Sequence, residues 1–496
     1  VKRETCCLPN VPITAGRFLF RDTIGMVKQM NIQSWINRIQ PRLPALTGSL
    51  ALIMYLVTLI REPGWGDAAE LSLAAYRLGP THTPGYPVHS MLGKVLMLLI
   101  PDPGIATNLL SAIGASIGVA IISYLILQWT HSPMLAVLVP IQFALVKPIW
   151  DMAVIAEVYD FNLMFVALLI WLTLEWWKDP TSKKLFAVSV VYGISTGAFL
   201  ANVFVSPAYL PMLWKEPKDR WKRLFSFAIP IGAIGLLLFG FTTIRSQVYL
   251  PLGTPYPPIT FDNAIKFFTG YEASPFAIKS VQFYIDRTIA QALFFAESYL
   301  YVGVILGVWG FVVQWQKQRA IAIFLGLMFL CNMLFFTYYN GVDYLVQVIQ
   351  SYLVFSLWIG VGADDLIRRM EMPRIPSAVP VGLIVIAMIA AQMYFYLPEK
   401  LARASSYEVT EFNLDSLNHF PENAVVFALW ERYAALHYFQ SVRDLRPDIL
   451  IVERKGDLAP MVNQYSSARP IVFDADDALP GANLKPFYRR WVMLKP

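Results

Sequence analysis

The apolar run from Leu43 to Ile60 leads directly into Gly64-Trp65-Gly66-Asp67-Ala68-Ala69-Glu70-Leu71, Tyr76-Arg77-Leu78-Gly79 and Thr81-His82-Thr83-Pro84-Gly85-Tyr86-Pro87. The run is long enough to cross a bilayer, and Arg17, Arg21, Lys28, Arg38 and Arg42 precede it. Positive residues stay inside, so segment 1–42 is expected in the cytoplasm and the acidic stretch outside. Asp67 and Glu70 are three apart where Leu71, Leu73, Ala74 and Ala75 read as helical, so both carboxylates would share one face of a first turn. Two readings fit. One is a helix cap with its capping-box partner and a stop at Gly79; the other is a carboxylate pair with chemistry to do where hydrocarbon meets water.

Working outward, 56% of the residues are hydrophobic and only 15% charged, which describes a polytopic α-helical membrane protein and not a soluble one. The excess of 40 Lys+Arg over 34 Asp+Glu falls in short clusters between apolar runs, which argues against a nucleic-acid partner. Cys6, Cys7 and Cys331 offer neither a disulfide framework nor a spaced ligand set, and the scattered histidines form no His-x-x-x-His pair, so no metal is expected.

Ten further apolar runs follow, ending with Val379 to Tyr396. Placing the clusters Lys178/Lys183/Lys184, Lys215 to Arg223, Lys317/Arg319 and Arg368/Arg369/Arg374 all inside gives about eleven crossings over residues 43–397, with the C-terminus outside. Two of these are short, Phe186 to Leu200 and Val203 to Leu213, meeting near Ala201-Asn202. The run Val88 to Ile100, closed by Pro101, is too short to span roughly 30 Å and is expected to lie along the surface, inside a first outer loop 62–103. The loops Lys147 to Asp160, Arg245 to Tyr299 and Thr337 to Asp343 gather on the same outer side. From 398 to 496 the composition is that of a small α/β module. Strands are expected at Ala424–Leu429, Asp448–Val452, Pro470–Phe473 and Trp491–Leu494, with a helix at Glu431–Leu445.

The outer face therefore offers Asp67 and Glu70 for proton transfer, backed by His82, Tyr86, His89, Glu157, Tyr159 and Asp160. Arg245 suits a lipid phosphate, and Asp343 follows a turn at Asn340-Gly341. Each has an ordinary alternative: interfacial polar group, belt aromatic, snorkelling anchor or turn aspartate.

These residues resemble the C superfamily of glycosyltransferases (GT-C), polytopic enzymes that use polyprenyl- or dolichyl-phosphate sugars. The branch is one of membrane proteins whose animal members include a protein O-mannosyltransferase. Gly66 to Leu71 resembles its acidic first-loop motif, and His82-Thr83-Pro84-Gly85-Tyr86-Pro87 with Leu92-Gly93-Lys94 resembles its His-Pro-Pro-Gly-Tyr-Pro segment. Asn108-Leu109-Leu110-Ser111, Ala156-Glu157-Val158-Tyr159 with Asn162, Tyr249-Leu250-Pro251-Leu252, and Asp343 with Ser351-Tyr352-Leu353 resemble later signatures, as do Pro421 to Ala424 and Arg446-Pro447-Asp448.

The resemblance implies a multi-pass cell-membrane enzyme that passes a mannose-like hexose from a polyprenyl-phosphate donor, as substrate and not cofactor, to an extracytoplasmic protein, glycan or lipid acceptor. It implies that Asp67 acts as base or acceptor-orienting group, with Glu70 in support. Thr83 replaces the first proline of the pair, and Gly253 stands where many relatives carry an arginine, which leaves Arg245 as the substitute. Trp430-Glu431 replaces a common Gly-Asp, and no site residue is expected there. The rivals are a flippase of lipid-linked sugars and a non-catalytic assembly factor.

Overall fold

A computed structural model describes residues 40–213, 219–252, 258–269, 277–341, 343–370, 376–455, 458–466, 468–475 and 484–494. Most of segment 1–42, with Cys6 and Cys7, and also Lys215, Lys218, Gly253 and Arg374, lie outside the described residues.

The molecule is a helical bundle with a small α/β layer at one end. Five stretches are long and apolar enough to cross a membrane: Pro103–Thr130, Val158–Lys178, Arg220–Ser246, Arg319–Tyr338 and Ala378–His419. Counting each of two bent pairs as one span makes seven among the described residues. The eleven expected runs are distributed differently from a set of full-length crossings. Leu43–Val57 and Ser182–Ala198 are helices of 15 and 17 residues. Val203 to Leu213 is mainly a 3-10 helix, Leu200–Tyr209, because Pro207 and Pro211 remove backbone donors that an α-helix needs. The segment expected as an outer loop before Tyr299 contains the helix Val281–Ser298, which meets Val302–Lys317 at a bend of 101°.

Pro103–Thr130 and Val158–Lys178 both begin beside the acidic stretch and run away from it, whereas Arg319–Tyr338 runs toward it. Lys178, Lys317 and Arg368 consequently gather at the other end, where they line two neighbouring cavities on either side of Trp129. A 28-residue helix is roughly 40 Å long, so the cationic cluster and Asp67 occupy opposite ends of the bundle.

The expected surface-lying run forms the helix Pro87–Leu96, which buries Pro87, Val88, His89, Ser90 and Gly93 and leaves Leu92 and Val95 exposed, followed by the exposed Leu98 and Leu99. That is the division a helix lying in an interface requires.

In the C-terminal layer the strands are β1 (Val425–Ala428), β2 (Leu450–Glu453), β3 (Ile471–Asp474), β4 (Leu484–Tyr488) and β5 (Trp491–Leu494), in the order β2-β1-β3-β5-β4. The pairs of β1 with β2 and β3 are parallel, and β5 is antiparallel to β3 and β4. A helix, Trp430–Val442, connects β1 to β2. The strand β4 has no counterpart in the sequence reading: Pro486 interrupts its pattern, and the ladder shifts register beside it.

The helix Asp67–Arg77 lies between bundle and module. Its Ala68 and Leu71 join the bundle core, while Ala69 and Leu73 join the module's core with Leu436, Phe439 and Trp491. Glu62 reinforces the joint, its carboxylate accepting from the backbone N–H groups of Val409 at 3.3 Å and Thr410 at 2.9 Å at the start of the helix Glu408–His419. Asp151 does the same farther along, paired with Lys400 and, at 3.2 Å, with Arg403.

Candidate active site

Neither carboxylate of the acidic stretch is a cap. Gly66 holds the N-cap position of Asp67–Arg77 with no side-chain bond, and the helix ends two residues before the expected glycine, with Leu78 in the left-handed region. The first-turn acids are instead bonded across the tertiary structure. Glu70, 1% exposed, accepts from the backbone N–H of His82 at 2.6 Å and pairs with His82 Nδ1. Asp67 lies beside the same ring, its Oδ2 4.0 Å from His82 Nε2. Burial alone would lower the His82 pKa, but the carboxylates of Glu70 and Asp67 outweigh it and lift it to about 10. Glu70 itself is raised from the usual carboxylate range, chiefly by burial. Tyr86 stands edge-on to His82 with ring centroids 5.5 Å apart.

The second loop is tied to the first by the Asn108-Leu109-Leu110-Ser111 motif. Asn108 donates to the carbonyls of Ile60 at 2.7 Å and Glu62 at 3.0 Å and accepts from Ala156 N–H at 2.7 Å. Ser111 bonds both backbone groups of Glu157 at 3.0 Å. Glu157 is thereby held where burial, followed by the charges of Asp67 and Asp343, pushes its carboxyl well above the usual range. Tyr159, two residues on, accepts from Gln347 Nε2 at 3.2 Å. Asp343 lies exposed on the loop after Arg319–Tyr338, and Arg287 orders that loop by donating to the carbonyls of Phe336, Tyr339 and Gly341 at 2.9–3.2 Å.

Of the expected residues, Asp67, Glu70, His82, Tyr86, Glu157, Tyr159 and Asp343 thus share one electrostatic neighbourhood. Three others sit elsewhere. His89 is fully buried against Phe161, ring centroids 5.4 Å apart, and burial lowers its pKa to about 4. Asp160 is fully buried inside the bundle, behind the site, where it bears on Glu157 first and then on Asp151 and Tyr55. Arg245 spends Nε and Nη2 on the carbonyls of Leu78 and Arg77, at 2.7 and 2.8 Å, which terminates the Asp67–Arg77 helix. Helical spacing does not show which face of a helix a side chain takes or which free carbonyl lies nearby, so all three look like site residues in the sequence.

The sequence reading assigns nothing at 430–431, and the structure corrects this. Trp430 Nε1 donates to Asp67 Oδ1 at 2.6 Å, and the Glu431 carbonyl accepts from Gly66 N–H at 3.0 Å. Gly66, at φ +54°, has no side chain to occupy the place beside the Trp430 ring, 3.5 Å from where a Cβ would stand. The signal available was the aromatic opening of the expected module helix, but contact across more than 360 residues leaves no local pattern.

Asp67, Glu70 and His82 each offer a ligand atom within 4.8 Å of the others, a set that could hold a divalent ion. Both Glu70 oxygens are already engaged by His82, so this is first a hydrogen-bonded carboxylate–imidazole pair.

Comparison with known proteins finds the same fold. The crystal structure of ArnT from Cupriavidus metallidurans in the apo state superposes with a TM-score of 0.60 at 13% identity, covering 94% of this chain and 98% of that one. The same protein bound to undecaprenyl phosphate gives 0.60 at 12% identity, over 91% and 97%. The family described as Protein O-mannosyl-transferase TMEM260 N-terminal domain matches residues 67–222, beginning at Asp67 itself.

The chain has the GT-C fold and is related to TMEM260.

Protein O-mannosyl-transferase TMEM260 of Mus musculus is 23% identical over 447 residues, and tmem260 of Dictyostelium discoideum 22% over 358. These alignments take in 83% and 63% of this GT-C chain but 63% and 43% of the relatives, so it spans well under two thirds of the Dictyostelium protein and just under that of the mouse protein. Within residues 67–222, which the family model matches, lie Asp67, Glu70, His82, Tyr86, Glu157 and Tyr159; Asp343 and Trp430 lie beyond that match.

Proposed function

We propose that the protein is a membrane glycosyltransferase that moves one hexose, mannose-like, from a polyprenyl-phosphate donor to a hydroxyl acceptor on the outer side of the cell membrane. The observation that carries this reading is the position of Asp67. Its carboxylate stands at the water-facing end of the bundle, held by Trp430 and beside a histidine that Glu70 keeps charged.

Asp67 takes the acceptor's proton as the acceptor oxygen bonds to C1 of the sugar. The C1–O bond to phosphate breaks with its electron pair leaving on the polyprenyl phosphate, and a single displacement inverts C1. Protonated His82, paired with Glu70 through Nδ1 and facing Asp67 through Nε2, orients the Asp67 carboxylate for that step. Tyr86, Glu157, Tyr159 and Asp343, which share the electrostatic neighbourhood of Asp67, are the residues we assign to sugar and acceptor. A lipid phosphate is a competent leaving group, so no step is routed through a metal.

The name of the bound ArnT structure supports a lipid-phosphate donor, and the names of the TMEM260 proteins support mannosyl transfer to a hydroxyl. The opposite grouping of Lys and Arg supports an outward-facing site, a cytoplasmic N-terminal segment and an outer C-terminal module. The test is transfer of labelled hexose from polyprenyl-phosphate mannose or glucose by purified protein in detergent, native against Asp67→Asn. Transfer that is lost in the folded variant supports the reading. Translocation of intact lipid-linked sugar without transfer, or neither activity, overturns it in favour of a flippase or an assembly factor.

A further inference from the structure

We infer that Trp430 is a positioning residue for this reaction, so that the C-terminal module completes the catalytic centre and does more than decorate it. The inference deepens the glycosyltransferase reading and rests on it.

A carboxylate at the first residue of a helix has two equivalent oxygens and free rotation about its side-chain torsions. Here one oxygen is taken. The Trp430 indole N–H, 2.6 Å from Oδ1, leaves Oδ2 as the oxygen beside His82 Nε2. The same two module residues grip the backbone, since the Glu431 carbonyl accepts from Gly66 N–H at 3.0 Å. The Trp430 ring is fixed in turn: His82 meets it edge-on with centroids 5.8 Å apart, and Tyr433 lies 6.0 Å away on the same helix. Indole is a donor only, so it cannot take the acceptor's proton in place of Asp67. Its contribution is to aim one lone pair at the acceptor and to keep His82 and Asp67 in a single arrangement before substrate arrives.

Three variants of the full chain test this: Trp430→Phe, which keeps a ring and loses the N–H; Trp430→His, which restores a ring N–H donor; and Trp430→Phe combined with Asp67→Asn. Trp430→Phe is expected to lower kcat on the order of tenfold to a hundredfold with KM for the lipid donor unchanged, as loss of orientation requires. Trp430→His should recover part of that loss. In the Asp67→Asn background the same Phe substitution should leave the residual rate unchanged, because the carboxylate it positions is gone. Equal proportional losses in both backgrounds, or a rise in KM with kcat intact, overturn the proposal and make Trp430 a packing or substrate-binding residue.

One readout does not need transfer. The difference between native and Trp430→Phe emission spectra isolates this indole, and Asp67→Ala should shift that difference spectrum. An unshifted spectrum overturns the contact even if the protein transfers sugar, whereas a shifted spectrum in a protein that transfers nothing overturns the function and leaves the contact standing.

Discussion

At the cationic end of the bundle, carboxylates are neutralised by neighbours. Asp365 meets Lys317 at 2.9 Å and Arg369 at 2.5 Å, Asp364 meets Arg368 at 2.7 Å, and Glu175 meets Lys178 at 2.7 Å. At the Asp67 end, Asp67 and Glu70 share one imidazole, while Glu157 and Asp343 add negative charge to the same space. Both ends carry acids near helix termini. The first arrangement is what stability alone would select; the second leaves charge uncompensated and pKa values displaced, which a fold tolerates where chemistry is done.

Removing one acid from each end breaks the comparison most sharply. Asp67→Asn should reduce sugar transfer on the order of 10²–10⁴-fold, the range for loss of a general base, with the melting temperature little changed. Asp365→Asn should do the reverse, lowering the melting temperature and leaving the transfer rate of the folded protein intact. Parallel rate assays and melting curves on both variants check the pair.

The imidazole gives the next effect. Because its folded pKa is raised above the unfolded value of 6.5 to about 10, the stabilisation His82 confers is fully present below pH 6.5 and is lost as pH rises through about 10. Glu70→Gln removes the largest of the causes that raise it, so the ring should discharge at a lower pH. Rate and melting temperature of the variant are then expected to fall earlier than those of the native protein on titration from neutral to alkaline pH.

Glu62→Gln tests the joint between bundle and module. Weakening a buried carboxylate's bonds to two helix-end N–H groups should cost about 1–2 kcal/mol and open the module to limited proteolysis before the bundle unfolds. The smallest effect is at the cationic end, where Lys317→Met removes an exposed partner that Arg369 backs up. The change in stability should be less than about 1 kcal/mol, with unchanged transfer.

How far the sequence foretold this differs between helix and site. Apolar runs locate most helices of the bundle because burial in lipid or core shows directly in composition, and the module's parallel strands stand out as short apolar segments such as Val425–Ala428. Val203 to Leu213 and Val281 to Ser298 are misread because hydropathy is blind to proline's lost donors and to an arginine like Arg287 that turns inward onto carbonyls. In the site, Asp67, Glu70 and His82 are legible because they sit within sixteen residues on one loop. His89, Asp160 and Arg245 share their residue types but not their surroundings. Trp430 is invisible beforehand, since what makes it part of the site is a tertiary contact with Asp67 from the far end of the chain.

The most direct test of the central claim is a single-turnover reaction of the native chain and Asp67→Asn with labelled polyprenyl-phosphate mannose and acceptor, quantifying both products. The account predicts that the native protein yields free polyprenyl phosphate and glycosylated acceptor in equal amounts, and that the folded asparagine variant yields about a hundredth of either or less over the same time. Recovery of the lipid-linked sugar intact after incubation with native protein, or matched yields from the two proteins, would contradict it.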